Sequence, residues 1–192
     1  RPVKLNRSLF NEGIPEEVSN RDDQLKRLIT ILNFTPVVQI YVDGCEADDV
    51  ISYACKKNHS NNKIIMTSDK DYYQLINDNT KIWSPNRRIL IDEEYILTQL
   101  SVLSSNFCVA RCFVGDQSDG IKGARGAGFK TMSKRFPELG RIKDITYNDI
   151  INKAQQEVES GSKLSIYKNI INVKNEIEKN WKLMYLDTAM LS

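Results

Sequence analysis

Apolar positions recur at helical spacing early in the chain, at Val18, Leu25, Leu28, Ile29 and Leu32, behind a Pro15-Glu16-Glu17 start that suits a first helical turn. A helix is therefore predicted from about Pro15 to Phe34. Pro36 blocks its continuation, and the unbroken run Val37 to Val42 reads as a short buried strand. A second helix is predicted from Ala47, with Ala47, Val50, Ile51 and Ala54 facing inward. Lys63 to Thr67 is a second β-branched run. It ends at Ser68-Asp69-Lys70-Asp71, before a short helix around Tyr72 to Ile76. Thr80 to Trp83 and Arg88 to Ile91 flank Ser84-Pro85-Asn86-Arg87 as a hairpin or paired edge strands.

Beyond the hairpin the period is helical throughout. Asp92 is placed to cap a helix from Glu93 to about Leu103, and another spans Phe107 to Val114. A short helix, Met132 to Phe136, follows a glycine-rich run. Two longer ones follow near Asn148 to Glu159 and Lys163 to Lys182, separated by Ser160-Gly161-Ser162. The order strand–helix–strand–helix, then helix alone, implies an α/β core with a parallel sheet and a helical C-terminal lobe, divided as residues 1–104 and 105–192.

Composition changes this picture little. At 192 residues, 41% hydrophobic and 27% charged, the chain has the make-up of an ordinary soluble protein able to bury a core. No apolar run reaches membrane-spanning length, and the basic Arg1 to Arg7 stretch has no apolar segment behind it, so a cytoplasmic location and no membrane partner are expected. The four cysteines (Cys45, Cys55, Cys108, Cys112) lack metal-binding spacing and have only His59 to help them, which argues against zinc. Cys108 and Cys112 share a helical face and are expected in the core as free thiols. His59 is expected exposed and idle.

The net charge of +2 hides uneven clustering. Acids gather at Glu46, Asp48 and Asp49, at Asp69 and Asp71, and at Asp116 and Asp119. The first two groups each follow a predicted strand, where function gathers in αβ sheets. Such carboxylates converging without a metal would repel one another, and a hard divalent cation resolves this. Taken singly, Asp48 or Asp71 reads better as a helix N-terminal acid. Three clusters in order favour a metal. The run from Gly115 to Thr131 holds five glycines interleaved with Lys122, Arg125 and Lys130. Glycine permits tight turns and close backbone approach, and the amides so presented suit phosphate oxygens. Tyr72 and Tyr73 have the chemistry to stack on a base, though core packing suits at least one. Arg87 and Arg88 read as solvated.

Together these segments resemble the 5′-nuclease (flap endonuclease) family, which includes phage 5′-exonucleases and the 5′-nuclease domain of bacterial DNA polymerase I. Glu46-Ala47-Asp48-Asp49 matches its E-A-D-D motif. Thr67-Ser68-Asp69-Lys70-Asp71-Tyr72-Tyr73-Gln74-Leu75 matches its T/S-x-D-x-D-x-x-Q-L, and Gly115 to Thr131 fills every fixed position of G-D-x-S-D-x-I-x-G-x-x-G-x-G-x-K-T. The resemblance runs from about Pro2 to Phe136, and weakly over Trp181 to Asp187.

It implies a PIN-like core with a helix-hairpin-helix at about residues 113–136. The activity implied is a two-metal (Mg²⁺ or Mn²⁺) structure-specific 5′ nuclease, acting on branched or nicked duplex DNA with a 5′ single strand, in replication and repair. One metal would be served by Glu46, Asp48 and Asp49, the other by Asp69, Asp71, Asp116 and Asp119. Val3-Lys4-Leu5-Asn6-Arg7 matches the stretch entering the family's helical arch, with valine for tyrosine. Lys4 would neutralise the scissile phosphate, with Arg7 assisting. Lys122, Gly123, Arg125, Gly126, Gly128, Lys130, Thr131, Lys134 and Arg135 would hold the duplex backbone, with Ser118 a K⁺ ligand. The family's first strand and a further aspartate would precede Arg1, so the chain looks like a member lacking its N-terminal third. A chain supplying those strands, or a polymerase, is an implied partner, in a bacterial or phage-infected cell. The alternatives are a non-catalytic branched-DNA-binding module and a PIN-like ribonuclease.

Overall fold

The structure, a computed structural model, describes residues 15–57 and 61–186. Lys4, Arg7 and His59 lie outside them. The described residues fall into two compact units, divided between Gly44 and Cys45.

In the first unit α1 (Pro15–Leu32) is the predicted helix, ended by hydrogen-bonded turns from the amides of Asn33, Phe34 and Thr35. Its expected buried stripe is half exposed at Leu25, Leu28 and Ile29. Residues 37–42 form no strand, and Val38 and Tyr41 are more than four-fifths exposed. This corrects the sequence-based expectation. A β-branched run becomes a strand only when a neighbour completes its backbone hydrogen bonds, and no ladder reaches these residues among those described.

The second unit opens with α2 (Ala47–Lys57), followed by β1 (Lys63–Met66), β2 (Thr80–Ser84) and β3 (Ile89–Ile91). The strands lie in the order β1-β2-β3. β1 runs parallel to β2 with Lys63 opposite Thr80, and β2 and β3 form the expected antiparallel hairpin with Ile82 opposite Ile91. The sheet is therefore mixed, because its third member is the hairpin strand rather than residues 37–42. A 3₁₀ turn, Asp71–Leu75, occupies the β1–β2 connection. Tyr72, Tyr73, Leu75 and Ile76 from this connection pack with Ile82, Ile91, Ile96 and Phe107 in one apolar cluster. α2 covers it with Ile51 and Cys55, while Ala47 is exposed rather than inward.

Asp92 caps α3 (Glu93–Leu100) by accepting from the Tyr95 amide, and Ser101 in the left-handed region ends it three residues earlier than expected. α4 (Phe107–Val114) has the predicted bounds and carries Cys108 and Cys112, both buried. It is the hub of a second apolar cluster containing Met132, Phe136, Ile150, Ile170 and Ile177. Phe107 and Phe129 stack at 5.6 Å between ring centroids, joining the clusters through residues that belong to each. After α4 come a two-residue-strand hairpin, β4 (Gly115–Asp116) with β5 (Ile121–Lys122), then α5 (Phe129–Arg135), α6 (Tyr147–Glu159), α7 (Ser165–Asn172) and α8 (Lys174–Met184). Thr146 and Asp149 form a reciprocal capping box on α6.

The single helix expected over residues 163–182 is broken at Val173 (φ −110°, ψ 20°). Ile170-Ile171-Asn172-Val173 is a poor helix-forming run. The break also serves packing: α7 lies mainly against α6, whereas α8 lies against α4. No single helix among the described residues is long and apolar enough to cross a membrane.

Candidate metal centre and nucleic-acid interface

Local hydrogen bonding fixes the first acidic loop. At the C-terminal end of β1 the Asp69 amide donates to Thr67 Oγ1 (3.0 Å), and the Asp71 amide donates to Asp69 Oδ1 (2.9 Å). Two nested side-chain turns thus aim the loop, which is why threonine and aspartate stand at that spacing. Gln74 secures it from behind. Its amide nitrogen donates to the carbonyls of Asp71 (2.8 Å) and Met184 (3.0 Å), and its Oε1 accepts from the Leu186 amide (3.1 Å).

The second acidic loop depends on two glycines packed back to back. Gly115 ends α4 at φ +79°, and a Cβ there would lie 2.5 Å from the Gly123 amide nitrogen. A Cβ on Gly123 would lie 2.1 Å from the Phe113 carbonyl oxygen. Only with both side chains absent can β5 lie against the end of α4 and hold Asp116 opposite Ile121. Asp116 Oδ1 then accepts from the Ser118 amide (2.8 Å) and the Ser118 hydroxyl (2.5 Å).

These loops bring Asp71, Asp116 and Asp119 together, with one carboxylate oxygen from each within 4.8 Å of the others. Burial, reinforced by the charge of Asp69, pushes the Asp71 carboxyl up to about 6 against the lowering effect of Arg111, with Asp116 and Asp119 adding to the rise. At Asp116 burial also raises, but the Ser118 hydrogen bonds and the Arg111 guanidinium outweigh it and hold the carboxyl below its usual range. Three oxygen donors this close, one made reluctant to ionise by its neighbours, suit a hard divalent cation.

The other sequence-predicted ligands are placed differently. Asp69 adjoins Asp71 and raises its pKa, but is not in the three-residue group. Asp48 and Asp49 lie in the first turn of α2. Asp48 connects to the acidic loop through Tyr72, whose hydroxyl donates to Asp48 Oδ1 at 2.5 Å. Glu46 is exposed just before α2 and joins no carboxylate group among the described residues. Tyr72 and Tyr73 are both buried, so neither offers a face to a base, and Tyr73 packs on Phe107 instead. Arg87, expected to be only solvated, donates to the Tyr95 hydroxyl at 2.8 Å.

Along the glycine-rich run Lys122, Arg125, Gly126, Gly128, Lys130 and Lys134 are exposed, and Gly123, Thr131 and Arg135 are partly so. Two asparagines that sequence reasoning missed clamp this run. Buried Asn180 of α8 donates to the Cys112 (2.9 Å) and Lys122 (2.8 Å) carbonyls, and Asn169 of α7 donates to the Arg125 carbonyl (2.9 Å). Asn180 sits three residues after Ile177 and four before Met184 on an apolar stripe, a polar residue in a core position. Arg111 was missed too. It is the one charge in Phe107-Cys108-Val109-Ala110-Arg111-Cys112-Phe113, and its Nη2 donates to Asp116 Oδ2 while Nε lies 3.9 Å from Asp71 Oδ1.

Residues 4–101, just over half of the chain, match the family model of the 5′-3′ exonuclease N-terminal resolvase-like domain. The chain belongs to that family. It is 32% identical over 136 residues to the thermostable DNA polymerase I of Thermus thermophilus, a match covering 70% of this chain and 16% of the polymerase. It is 31% identical over 129 residues to the 5′-3′ exonuclease of Buchnera aphidicola subsp. Schizaphis graminum, covering 66% of this chain and 45% of that protein. The matched part therefore spans less than half of the length of either relative. A bacteriophage T5 protein crystallised with metal ions superposes with a TM-score of 0.72 at 22% identity, over 95% of this chain and 68% of that one. The T5 flap endonuclease in complex with DNA and metal ions gives 0.69 at 22% identity, over 95% and 66%. The α/β fold of this 5′-3′ exonuclease-family chain is the fold of those T5 nucleases.

Proposed function

We propose that the chain is a metal-dependent structure-specific 5′ nuclease, hydrolysing DNA phosphodiesters near junctions of single strand and duplex. The convergence of Asp71, Asp116 and Asp119 within 4.8 Å is the observation that carries the reading. With Asp69 they would hold one divalent cation, Mg²⁺ or Mn²⁺. Asp48, Asp49 and Glu46 would serve a second. Such cations supply Lewis acidity toward a phosphodiester and its attacking water. The chain's own residues fix where this happens: the nested turns at Thr67 and Asp69 aim one pair of acids, and the Gly115–Gly123 contact aims the other. Lys4 would neutralise the scissile phosphate, with Arg7 beside it.

Residues 113–136 would act as a helix-hairpin-helix on the duplex. The exposed cations Lys122, Arg125, Lys130 and Lys134 support this. With Arg135, Thr131 and the backbone at Gly123, Gly126 and Gly128, they would position DNA without reading sequence. The Ser118 hydroxyl donates its proton to Asp116, leaving its lone pairs to a K⁺. A division into core and lobe at residue 104/105 would part most of the two apolar clusters, with Val102 of the core side packing in the second and Phe107 and Leu186 of the lobe side in the first. A DNA polymerase, or a chain supplying further strands, would be the protein partner.

The test is cleavage of a labelled 5′-flap duplex with Mg²⁺ by the wild type, Asp71→Asn and Asp116→Asn. Cutting near the junction that is lost in both variants is expected. Junction binding without cutting by the wild type would overturn catalysis in favour of a binding module. Preference for single-stranded RNA would favour a ribonuclease.

A further inference from the structure

Asp116 presents two carboxylate oxygens, and the protein already engages both. Oδ1 accepts from the Ser118 amide and hydroxyl, and Oδ2 accepts from Arg111 Nη2. The same guanidinium turns Nε toward Asp71 Oδ1 at 3.9 Å, a separation for charge attraction but too long for a hydrogen bond. Nε is buried, in a side chain only 15% exposed, and has no hydrogen-bond partner among the described residues. An arginine serving only as a brace is expected to use its planar fork on one carboxylate, with two parallel hydrogen bonds. This one instead straddles two carboxylates of the three-acid group and leaves a donor unsatisfied. A guanidinium so placed holds the position of a positive charge between Asp71 and Asp116.

We propose that Arg111 is a resident counter-cation of the acidic cluster that a divalent ion must displace from Asp116 and Asp71. Occupancy of the site is then coupled to release of the guanidinium. The inference rests on the metal reading of these acids. Its physical content is competition: two cations cannot both take Asp116 Oδ2 and lie beside Asp71 without repelling each other. The arginine keeps the acids gathered while the site is empty and weakens the ion's hold once it arrives. Arg111 is thus a positioning residue that sets metal affinity.

The test is Mn²⁺ binding by the full chain, followed by electron paramagnetic resonance, for the wild type, Arg111→Met and Arg111→Lys. Removing the charge should lower the Mn²⁺ dissociation constant at least ~5-fold, the lower end of ordinary couplings between sites. Arg111→Lys, which keeps the charge, should stay near the wild type. A second measurement needs no variant: the Arg111 Nε–H resonance should shift during a Mg²⁺ titration, with the midpoint of metal binding. Unchanged or weaker Mn²⁺ binding in a folded Arg111→Met protein would overturn the proposal. If that variant does not fold, a resonance unmoved through Mg²⁺ saturation overturns it. Absence of divalent-ion binding in the wild type would sink the metal reading itself, a distinguishable result.

Discussion

The glycines of the 115–128 run do different jobs, and alanine substitutions should separate them. At Gly123 an alanine Cβ would lie 2.1 Å from the Phe113 oxygen and 2.5 Å from the Val114 carbonyl carbon, both backbone atoms that cannot rotate away. The end of α4 and β5 must move apart by close to an ångström. That strains the Ala124 amide bond to Phe113 O (2.8 Å) and the two bonds from Asn180 that span the same seam. Overpacking of this kind costs ~1–3 kcal/mol, and loss of a buried hydrogen bond adds ~1–3 kcal/mol. Gly123→Ala should therefore lose roughly 2–6 kcal/mol and, by moving Asp116, weaken divalent-ion binding. Gly126 has φ +84° with open space around its Cβ position, so its alanine variant should lose only the ~1–2 kcal/mol of a left-handed L-residue. Gly128 has φ −90° and nothing within 4 Å of where an alanine methyl would stand, so Gly128→Ala should change stability by less than ~0.5 kcal/mol. If its backbone approaches a phosphate, that variant should bind nicked duplex about tenfold more weakly, a loss of ~1.4 kcal/mol. Urea unfolding gives the stabilities, and fluorescence anisotropy with nicked duplex gives the affinities. Gly123→Ala within ~1 kcal/mol of the wild type, or Gly128→Ala as unstable as Gly123→Ala, would refute the reasoning.

Asn180→Leu should destabilise by ~2–4 kcal/mol in urea unfolding, because the Cys112 and Lys122 carbonyls lose their buried donor. Tyr72→Phe removes the hydroxyl donated to Asp48 at 2.5 Å and should cost ~1.5–3 kcal/mol, with no loss of nicked-duplex affinity because the ring is buried. The Asp71 carboxyl, raised to about 6 in the fold from 3.8, favours its neutral form there, so its unfavourable contribution is complete above pH 6 and is relieved as pH falls toward 3.8. Metal-free protein should therefore show a smaller rise in Tm from pH 7 to pH 5 in Asp71→Asn than in the wild type, while divalent-ion affinity in the wild type falls below about pH 6. The Asp116 contribution runs the other way, lost only as pH falls through a carboxyl held below its ordinary 3.8, so the two windows do not overlap. Lys130→Ala should lower the slope of log affinity for nicked duplex against log salt by ~1, and Arg125→Ala by a similar amount.

Much of this was legible in the chain because local chemistry determined it. Phe107–Val114 has its predicted bounds because its apolar run is closed by Gly115, and Asp92 caps α3 as expected. Residues 37–42 misled because β-branching marks a willingness to pair, whereas the pairing belongs to the neighbour. With no strand there among the described residues, Glu46, Asp48 and Asp49 do not follow a strand edge and lie outside the three-acid group, so only a separate, second metal is left for them to serve. Asp71, Asp116 and Asp119 do converge, because the motif itself encodes local contacts: Thr67 and Asp69 set Asp71, Gly115 and Ser118 set Asp116, and Asp119 comes with the turn that joins β4 to β5.

The residues that support these loops from a distance left only a faint trace. Gln74 belongs to the motif, but its hold on the Met184 and Leu186 backbone joins positions more than a hundred residues apart. Asn180 and Arg111 were visible only as a polar residue on an apolar stripe and a charge in an apolar helix. Burying such groups is costly unless they are answered, so each implies a partner without naming it. For Asn180 the partners are carbonyls, which makes it a clamp on the glycine seam. For Arg111 they are carboxylates of the three-acid group. The residue that departs furthest from its helix's apolar pattern is thus the one that competes for the charge at the site.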